Sequence, residues 1–353
     1  MILFAPAASA LQGWGHLMRC IAIADEVSAA GEATAFHVAG DTATAAMLLR
    51  GRHPWRSGDV GMIATAFGAA TVLLDGYHYS DEDELRLTTQ GLAVAAMDDD
   101  GHTSHRYARL IINGNPHSAA PDLYMSANSA QLLLGTRYTP LRSSLTALRR
   151  PSVRIRPVVE SAVVVLGGSD STGLSDTVLD AVTAHTTCRV VVAGAEPRDI
   201  PPRTWGRHVQ RLRWVRDPES LALSMSQSDI AISAGGMTSY ELAYLGIPSV
   251  LLPVTERQAP ASSELQRRGA ARVVTPAVLA TLGNTLKHLC NAADEREAMA
   301  LAGRAIFDGS GSRRIAQALI ELSREAASIR GSSAACCDRK ETHEQSTPLG
   351  QLE

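Results

Sequence analysis

The chain has 353 residues, of which 45% are hydrophobic and 20% are charged, and its formal net charge is -3 at pH 7. This length predicts two α/β domains of about 150 residues each. The weak negative charge argues against a nucleic-acid-binding surface. No stretch approaches eighteen uninterrupted apolar residues, so we predict no membrane span and a cytoplasmic location. The five cysteines lack paired spacing, which indicates reduced thiols rather than a disulfide framework or a zinc site.

The first part of the chain alternates short apolar strands with helices. Met1–Phe4 is the first predicted strand, and a helix follows the GWGH sequence. This places His16 at a helix N-terminus, where the dipole disfavours the protonated imidazole and leaves a neutral base. A histidine that only caps a loop would fit the same position. The neighbouring candidates for substrate binding are Gly13, Gly15 and Arg19.

Later strands of this part end in polar residues. Thr71–Asp75 is an apolar strand that ends in an acid, and Tyr77 follows it closely. Ligands of open α/β sheets bind outside the carboxyl ends of the strands, so Asp75 and Tyr77 are candidate binding residues. Another strand ends in Asp98-Asp99-Asp100. This run fits either a divalent-metal site or a solvated acidic turn, and we predict no metal site.

The strand pattern restarts after a basic, proline-punctuated linker. We predict one Rossmann-like domain at residues 1–150, a second at 151–329, and a polar, disordered tail at 330–353. In the second domain, the apolar run at 161–166 leads into a glycine turn with Gly168 and Ser169. Their backbone amides and hydroxyl could hold a phosphate or a sugar. A later strand is predicted at His208–Leu212.

The most informative stretch is Ile230–Pro253, which predicts a strand, a glycine turn, a helix, a Gly-Ile-Pro break and a second strand. Gly235 and Gly236 permit a tight turn, and Thr238 with Glu241 has the capping-box spacing. Such a turn directs backbone N–H groups and the positive end of the helix dipole to one place, which suits a phosphate. Any βαβ unit also needs a turn here, so both interpretations remain open.

Five motifs, in this order, resemble a known family: GWGHLMRC at 13–20, LLGTRYTPLR at 133–142, VVVLGGSD at 163–170, SDIAISAGGMTSYELAYLGIPSVLL at 228–252 and DGSGSRR at 308–314. Over residues 1–325 the chain is similar to the UDP-sugar hydrolases of pseudaminic acid biosynthesis and their spore-coat-polysaccharide relatives. It more distantly resembles the lipid II-forming N-acetylglucosaminyltransferases. The resemblance implies an α/β fold of the GT-B architecture, with two doubly wound, Rossmann-like domains facing a central cleft.

The resemblance also implies roles for single residues. His16 matches the catalytic base, which activates a nucleophile for attack on the anomeric carbon with inversion. Glu241 matches the acid that accepts the ribose hydroxyls of UDP. The diphosphate turn is matched by Gly235, Gly236, Met237 and Thr238. The interdomain loop is matched by Gly168 and Ser169, a polar contact to the sugar by Gln258, and a further substrate-binding candidate at the end of the second motif is Arg142.

The chain departs from this family in the loop before the GxGH motif, where an arginine and an aspartate usually meet the substrate. Residues 5–10 read APAASA, which is uncharged and could leave a recess for an acceptor other than water. Arg257 also replaces the usual asparagine before Gln258, and it could pair with a carboxylate or phosphate of the donor.

These departures favour a metal-independent, inverting glycosyltransferase that moves a sugar from a UDP-sugar donor to a small-molecule acceptor. No cofactor is implied beyond the UDP-sugar co-substrate, because N–H groups and the helix dipole can hold the leaving diphosphate. Two alternatives remain. One is a UDP-sugar hydrolase that cleaves at C1 with inversion, and the other is a non-catalytic nucleotide-sugar-binding protein.

Overall fold

The computed structural model describes residues 1–8, 14–40, 42–101, 103–118, 121–124, 130–167, 173–194 and 204–344. Gly13, Gly168 and Ser169 lie outside these ranges. The described chain forms one sheet of eight strands and one of six. The strand pairings within both sheets are parallel. Within these ranges, no helix is both long enough and apolar enough to cross a membrane.

The first sheet consists of short, largely buried strands. They are β1 Ile2–Ala8, β2 Thr34–His37, β3 Ala39–Gly40, β4 Trp55–Arg56, β5 Thr71–Asp75, β6 Ala93–Met97, β7 Leu110–Asn113 and β8 Gln131–Leu134. Their order is β4-β2-β1-β5-β6-β7-β8, and β3 also pairs with β1. The chain moves from β1 towards β4 and then resumes at β5 on the other side of β1. The topological switch point of this sheet, where ligands bind in open α/β folds, therefore lies between β1 and β5.

The second sheet repeats this plan with six strands. They are β9 Ser161–Val165, β10 Arg189–Ala193, β11 Leu212–Val215, β12 Ile230–Ala234, β13 Ser249–Leu252 and β14 Arg272–Val273. Their order is β11-β10-β9-β12-β13-β14. The switch point lies between β9 and β12, so the glycine turn that follows β12 stands at the second ligand-binding position of the fold.

Helices lie between the strands and cover the sheets. The α-helices are α1 Gly15–Ala29, α2 Thr42–Leu49, α3 Val60–Phe67, α4 Asp81–Thr89, α5 Ser143–Thr146, α6 Ser175–His185, α7 Pro218–Gln227, α8 Met237–Leu245, α9 Ala259–Arg267, α10 Leu282–Asn291, α11 Ala293–Ile306 and α12 Gly311–Glu344. Short 3-10 turns occur at Pro121–Tyr124, Thr136–Tyr138, Thr204–Arg211, Glu256–Gln258 and Pro276–Thr281. Alternate residues of β1 enter two separate cores, one with Phe4 and the other with Leu3, so both faces of this strand are buried.

The last helix returns to the first sheet after the second sheet is complete. Ile315 and Leu319 of α12 are fully buried in the same core as Phe4. Gly311 begins this helix against the backbone of Thr139, where a Cβ atom would collide with the carbonyl oxygen. Residues 147–160, between α5 and β9, contain neither helix nor strand. The predicted domain boundary at residue 150 stays a prediction. Helix α12, which follows the second sheet in the sequence, packs against the first sheet.

Two predictions differ from the structure: the loop at residues 5–8 and the disordered tail from residue 330. β1 continues to Ala8, so residues 5–8 are strand and not loop. Pairing overrides the weak strand propensity of this alanine-proline sequence, because Pro6 lies opposite Asp75 of β5 and Ala7 opposite Ala39 of β3. Helix α12 extends to Glu344, beyond the predicted start of the tail at Arg330. Alanine, glutamate, lysine and arginine in this part are good helix formers.

The strand predicted at His208–Leu212 is also misplaced. Its residues up to Arg211 belong to a 3-10 segment, and β11 begins at Leu212 and pairs with β10. The guanidinium of Arg211 donates to the carbonyls of Thr183 and Thr186, 2.8 and 2.7 Å away, at the C-terminal end of α6. Arg211 therefore caps that helix, which removes it from the sheet.

Candidate active site

His16 lies at the switch point of the first sheet and contacts the end of β5. It is the second residue of α1, and only 6% of its surface is exposed. Its Nδ1 atom lies 2.6 Å from Oδ1 of Asp75. Arg19 Nη2 lies 3.0 Å from the same nitrogen, but an ionised carboxylate only accepts, so Nδ1 carries the hydrogen that Asp75 accepts. This leaves Nε2 as the ring nitrogen that can take a proton from a ligand.

Asp75 is completely buried and is held by two cationic or polar neighbours. Arg19 donates to it through Nε and Nη2, at 2.7 and 2.5 Å. Burial by itself raises the pKa of Asp75. The interactions with Arg19 and His16 lower this pKa by more than burial raises it, so the pKa of Asp75 is well below its usual range. The sequence predicted that the helix dipole keeps His16 neutral. The structure shows a second influence on this side chain, the carboxylate of Asp75, whose hydrogen bond to Nδ1 fixes the orientation of the ring.

Arg19 also joins this pair to the acidic run after β6. Its Nη1 and Nη2 atoms donate to Asp99 at 2.7 and 3.0 Å. Burial raises the pKa of Asp99, whereas the charge of Arg19 lowers it, and the net direction is down. Tyr77 donates to Asp99 at 2.9 Å and meets the His16 ring edge-on, with ring centres 5.0 Å apart. Asp75, Tyr77, His16 and Arg19, each a separate candidate from the sequence, therefore lie in one group, and their functional roles stay predictions.

The second half of the molecule reaches this group through Arg257. Its guanidinium lies over the ring of Tyr77, 3.7 Å from the ring centre, and its Nε lies 3.4 Å from Asp100. A cavity of about 70 Å³ is lined by His16, Arg19 and Tyr77 from the first half and by Arg257 from the second. His16 and Arg257 thus line one cavity.

The glycine turn after β12 has a steric reason for its first glycine, Gly235. A Cβ atom on Gly235 would collide with the hydroxyl of Ser262 and lie 3.1 Å from Cβ of Gln258. Gly236 is the N-cap of α8, so this helix has no side-chain hydrogen bond from its N-cap residue. Met237 and Thr238 therefore stand in the first turn. The predicted capping role of Thr238 is wrong because the helix begins two residues earlier than that role requires.

Glu241 lies one turn further along α8 and pairs with Arg142. Nε and Nη2 of Arg142 each lie 3.3 Å from Oε1 of Glu241. Burial raises the pKa of Glu241, and Arg142 only partly opposes this. Gln258 accepts a hydrogen bond from the backbone N–H of Val254 at 2.9 Å, so its side-chain oxygen already has a structural partner.

The three consecutive acids after β6 have protein partners. Asp98 accepts from the backbone N–H groups of Asp100 and Gly101, and Asp99 is bound by Arg19. Among the described residues, no group of three or more histidine, cysteine, aspartate or glutamate side chains is arranged to hold a metal ion.

Sequence reasoning missed two residues that link the halves of the molecule. Asn115, just after β7, donates to Asp99 at 3.1 Å, and it accepts from the hydroxyl of Tyr240 in α8 at 2.6 Å. The available signal was the position of Asn115 beyond a strand's carboxyl end, the same signal that identified Asp75. Tyr240 gave no signal of its own, since a tyrosine in a buried helix is ordinarily a core residue.

Comparison with known proteins agrees with this architecture. Residues 162–318 match the family model of the glycosyltransferase family 28 C-terminal domain. The spore coat polysaccharide biosynthesis protein SpsG of Bacillus subtilis (strain 168) is 24% identical over 237 residues, which cover 65% of this chain and 69% of that relative.

Solved structures share the fold at low identity. MurG of Acinetobacter baumannii matches with a TM-score of 0.63 and 14% identity, over 91% of this chain and 99% of that one. The spinosyn forosaminyltransferase SpnP matches with a TM-score of 0.64 and 13% identity, over 92% and 99%. The predicted fold class, two Rossmann-like parallel sheets in the GT-B arrangement, is confirmed. The family match and these neighbours support a nucleotide-sugar glycosyltransferase.

Proposed function

We propose that this chain is a metal-independent, inverting glycosyltransferase that moves a sugar from a UDP-sugar to a small-molecule acceptor. The observation that carries the proposal is the 2.6 Å contact between Nδ1 of His16 and the buried Asp75, with His16 and Arg257 lining one cavity. An imidazole held in this way presents Nε2 as a general base. An ionised carboxylate beside it stabilises the imidazolium that forms when it takes a proton.

In this reaction Nε2 of His16 removes the proton of an acceptor hydroxyl or N–H group. The acceptor atom forms a bond to C1 of the sugar while the bond between C1 and the diphosphate oxygen breaks, and UDP leaves with the electron pair. Attack from the side opposite the leaving group inverts C1. The first turn of α8, with its backbone N–H groups and dipole, would hold the departing diphosphate without a metal ion.

The donor-binding roles rest on the second switch point. Gly235, Gly236, Met237 and Thr238 form the start of α8, where a diphosphate is best stabilised. We assign the ribose hydroxyls of UDP to Glu241, which Arg142 holds in place. Arg257, which lies over the ring of Tyr77, would contact the donor sugar, and Gln258 would contact it through its amide nitrogen, since its oxygen is engaged by Val254.

Hydrolysis of the UDP-sugar at C1 is the second candidate, because the cavity beside His16 is small. A volume of about 70 Å³ accommodates water more readily than a large acceptor. In the hydrolase, the same nitrogen would deprotonate water, and the product would be a free sugar of inverted anomeric configuration.

The deciding experiment measures UDP release from a panel of UDP-sugars, with and without candidate acceptors, and follows the anomeric proton by NMR. Transfer predicts slow UDP release without an acceptor and rapid release with one. Rapid formation of free sugar without an acceptor would contradict the transferase and establish the hydrolase. A His16→Ala variant with full turnover would rule out His16 as the base in both reactions. UDP binding without turnover on any donor and acceptor would identify a binding protein.

A further inference from the structure

The cavity beside His16 contains two buried polar atoms without a hydrogen-bond partner among the described residues. They are Nε2 of His105 and the hydroxyl oxygen of Tyr79, and both residues line the cavity. His105 as a whole is only 7% exposed. Buried polar atoms in folded proteins are nearly always paired, because an unpaired one loses its hydrogen bonds to water without replacement. Two such atoms in one cavity indicate a place that a ligand group completes.

The ring of His105 is held in a fixed orientation. Its Nδ1 lies 2.7 Å from Oε1 of Glu84, whose second oxygen accepts from the backbone N–H of Tyr107 at 3.1 Å. The backbone of His105 has φ of 48°, in the left-handed region that a non-glycine residue rarely adopts. With Nδ1 donating to Glu84, Nε2 of the neutral ring is an acceptor.

A carboxylate stands across from this nitrogen. Oδ2 of Asp98 lies 3.8 Å from Nε2 of His105, which is too far for a direct hydrogen bond. A small donor between the two atoms could bond to both. Burial raises the pKa of Asp98, so its ionised form gains from a cationic neighbour.

The charges around the cavity determine which charge a ligand there should carry. The lining includes four carboxylates, Glu84, Asp98, Asp99 and Asp100, and two guanidiniums, Arg19 and Arg257. With His16 and His105 neutral, the formal charge of the lining is -2, since it has four negative and two positive side chains. Such a lining favours a cationic group over an anionic one.

We propose that this cavity binds a primary amino group of the acceptor, so that the acceptor is an amino sugar or a similar polar amine. The inference rests on the proposed function, because it places the acceptor beside His16. A protonated amine brings three N–H donors and no acceptor. These donors match the acceptors that face the cavity: Nε2 of His105, the carboxylate of Asp98 and the oxygen of Tyr79. A hydroxyl can donate to Nε2 of His105 and accept from the hydroxyl of Tyr79, but it brings neither a further donor nor a positive charge for the carboxylate of Asp98.

Matched probe pairs test this in the UDP-saturated protein. Glucosamine is compared with glucose, and ethanolamine with ethylene glycol, with binding measured by saturation-transfer NMR titration. We expect the amine of at least one pair to bind about tenfold more tightly or better, the gain typical of a hydrogen bond to a charged group. Equal binding within both pairs, or a preference for the hydroxyl compounds, would overturn the inference.

Variants locate the binding in this cavity. Asp98→Asn should reduce the amine preference about tenfold, and Tyr79→Phe should reduce it less, while the UDP affinity stays unchanged in both. Glu82→Gln is the matched control, since Glu82 is exposed in α4 and does not line the cavity. An unchanged amine preference in folded Asp98→Asn protein, with folding checked by circular dichroism and UDP binding, would place the amine elsewhere.

The two proposals fail in different ways. Amine binding is measured without turnover, so it survives if the chain proves to be a hydrolase or if His16→Ala remains active. Conversely, efficient transfer to hydroxyl acceptors with no preference for amines would leave the transferase intact and remove only the acceptor assignment.

Discussion

The guanidinium of Arg257 lies 3.7 Å from the ring centre of Tyr77, and this contact joins the two halves of the molecule across the cleft. Tyr77 in turn donates to Asp99, and Asp99 is bound by Arg19, which also holds Asp75. A continuous series of contacts therefore leads from a residue of the second half to the carboxylate that orients His16.

Replacing Arg257 should weaken substrate binding more than it slows chemistry. A cation–π contact at an exposed site is worth about 0.5–1 kcal/mol, so we expect Arg257→Ala to raise the KM for the UDP-sugar about two- to fivefold with kcat changed less. Arg257→Lys keeps the charge near Asp100 but loses the planar stacking, and should give an intermediate KM. Steady-state kinetics checks this, with Arg267→Ala as control, because Arg267 is exposed and bonds Glu264 on its own helix. Equal KM values for the Arg257 and Arg267 variants would contradict the prediction.

Asp75→Asn should lower kcat by about a hundredfold to ten-thousandfold while UDP affinity stays constant. The amide no longer stabilises an imidazolium, and it can force the wrong tautomer on His16. Isothermal titration with UDP and kinetics at saturating donor separate the two effects. The variant also leaves Arg19 with one fewer carboxylate in a buried site, so urea unfolding must show that the protein is folded at the assay temperature. A kcat within threefold of wild type would remove Asp75 from the mechanism.

The glycine turn offers a stability test that is independent of activity. Gly235→Ala places a methyl group against the hydroxyl of Ser262, and overpacking of this kind costs about 1–3 kcal/mol. Gly236→Ala is the matched control, because the nearest atom to its added Cβ is the amide nitrogen of Gln258 at 3.8 Å. Ser262→Ala removes the colliding oxygen, which has no hydrogen-bond partner among the described residues, and should partly restore the Gly235→Ala protein. Urea denaturation of the wild type, the three single variants and the Gly235→Ala/Ser262→Ala double variant measures these effects, and equal loss in both glycine variants would contradict the steric explanation.

Elements with a strong local pattern were predictable from the sequence. The bounds of β5 are those predicted from its apolar run, and β12, α8 and β13 follow the order predicted for Ile230–Pro253. β1 beyond Phe4 was not predictable, because Pro6 and its alanine neighbours become strand only through pairing with β5 and β3. Helix α12 belongs with the first sheet for a similar reason, since no local signal states which sheet an amphipathic helix covers.

The candidate site shows the same division. Glycine turns, helix starts and polar strand ends identified His16, Asp75, Tyr77 and Gly235 one at a time. The bond from His16 to Asp75 spans 59 residues and depends on the order of strands in the sheet. The contacts of Asp99 and His105 are made with residues of other strands and helices, so no local spacing could reveal them.

The proposed contact between Glu241 and the ribose of UDP predicts a pH dependence of UDP binding. Burial raises its pKa, so the protonated form persists to higher pH than for an ordinary glutamate. Ribose hydroxyls donate to the ionised carboxylate, and therefore UDP affinity should rise with pH as Glu241 loses its proton, and fall as the pH is lowered. Glu241→Gln cannot ionise, and it should bind UDP about tenfold or more weakly at pH 8, the cost of losing a hydrogen bond to a charged group. Isothermal titration of both proteins with UDP between pH 5 and 8 checks this. UDP itself ionises in this range, and the pH profile of Glu241→Gln measures that contribution so that it can be subtracted. Parallel pH profiles for the wild type and Glu241→Gln would show that another group controls the affinity.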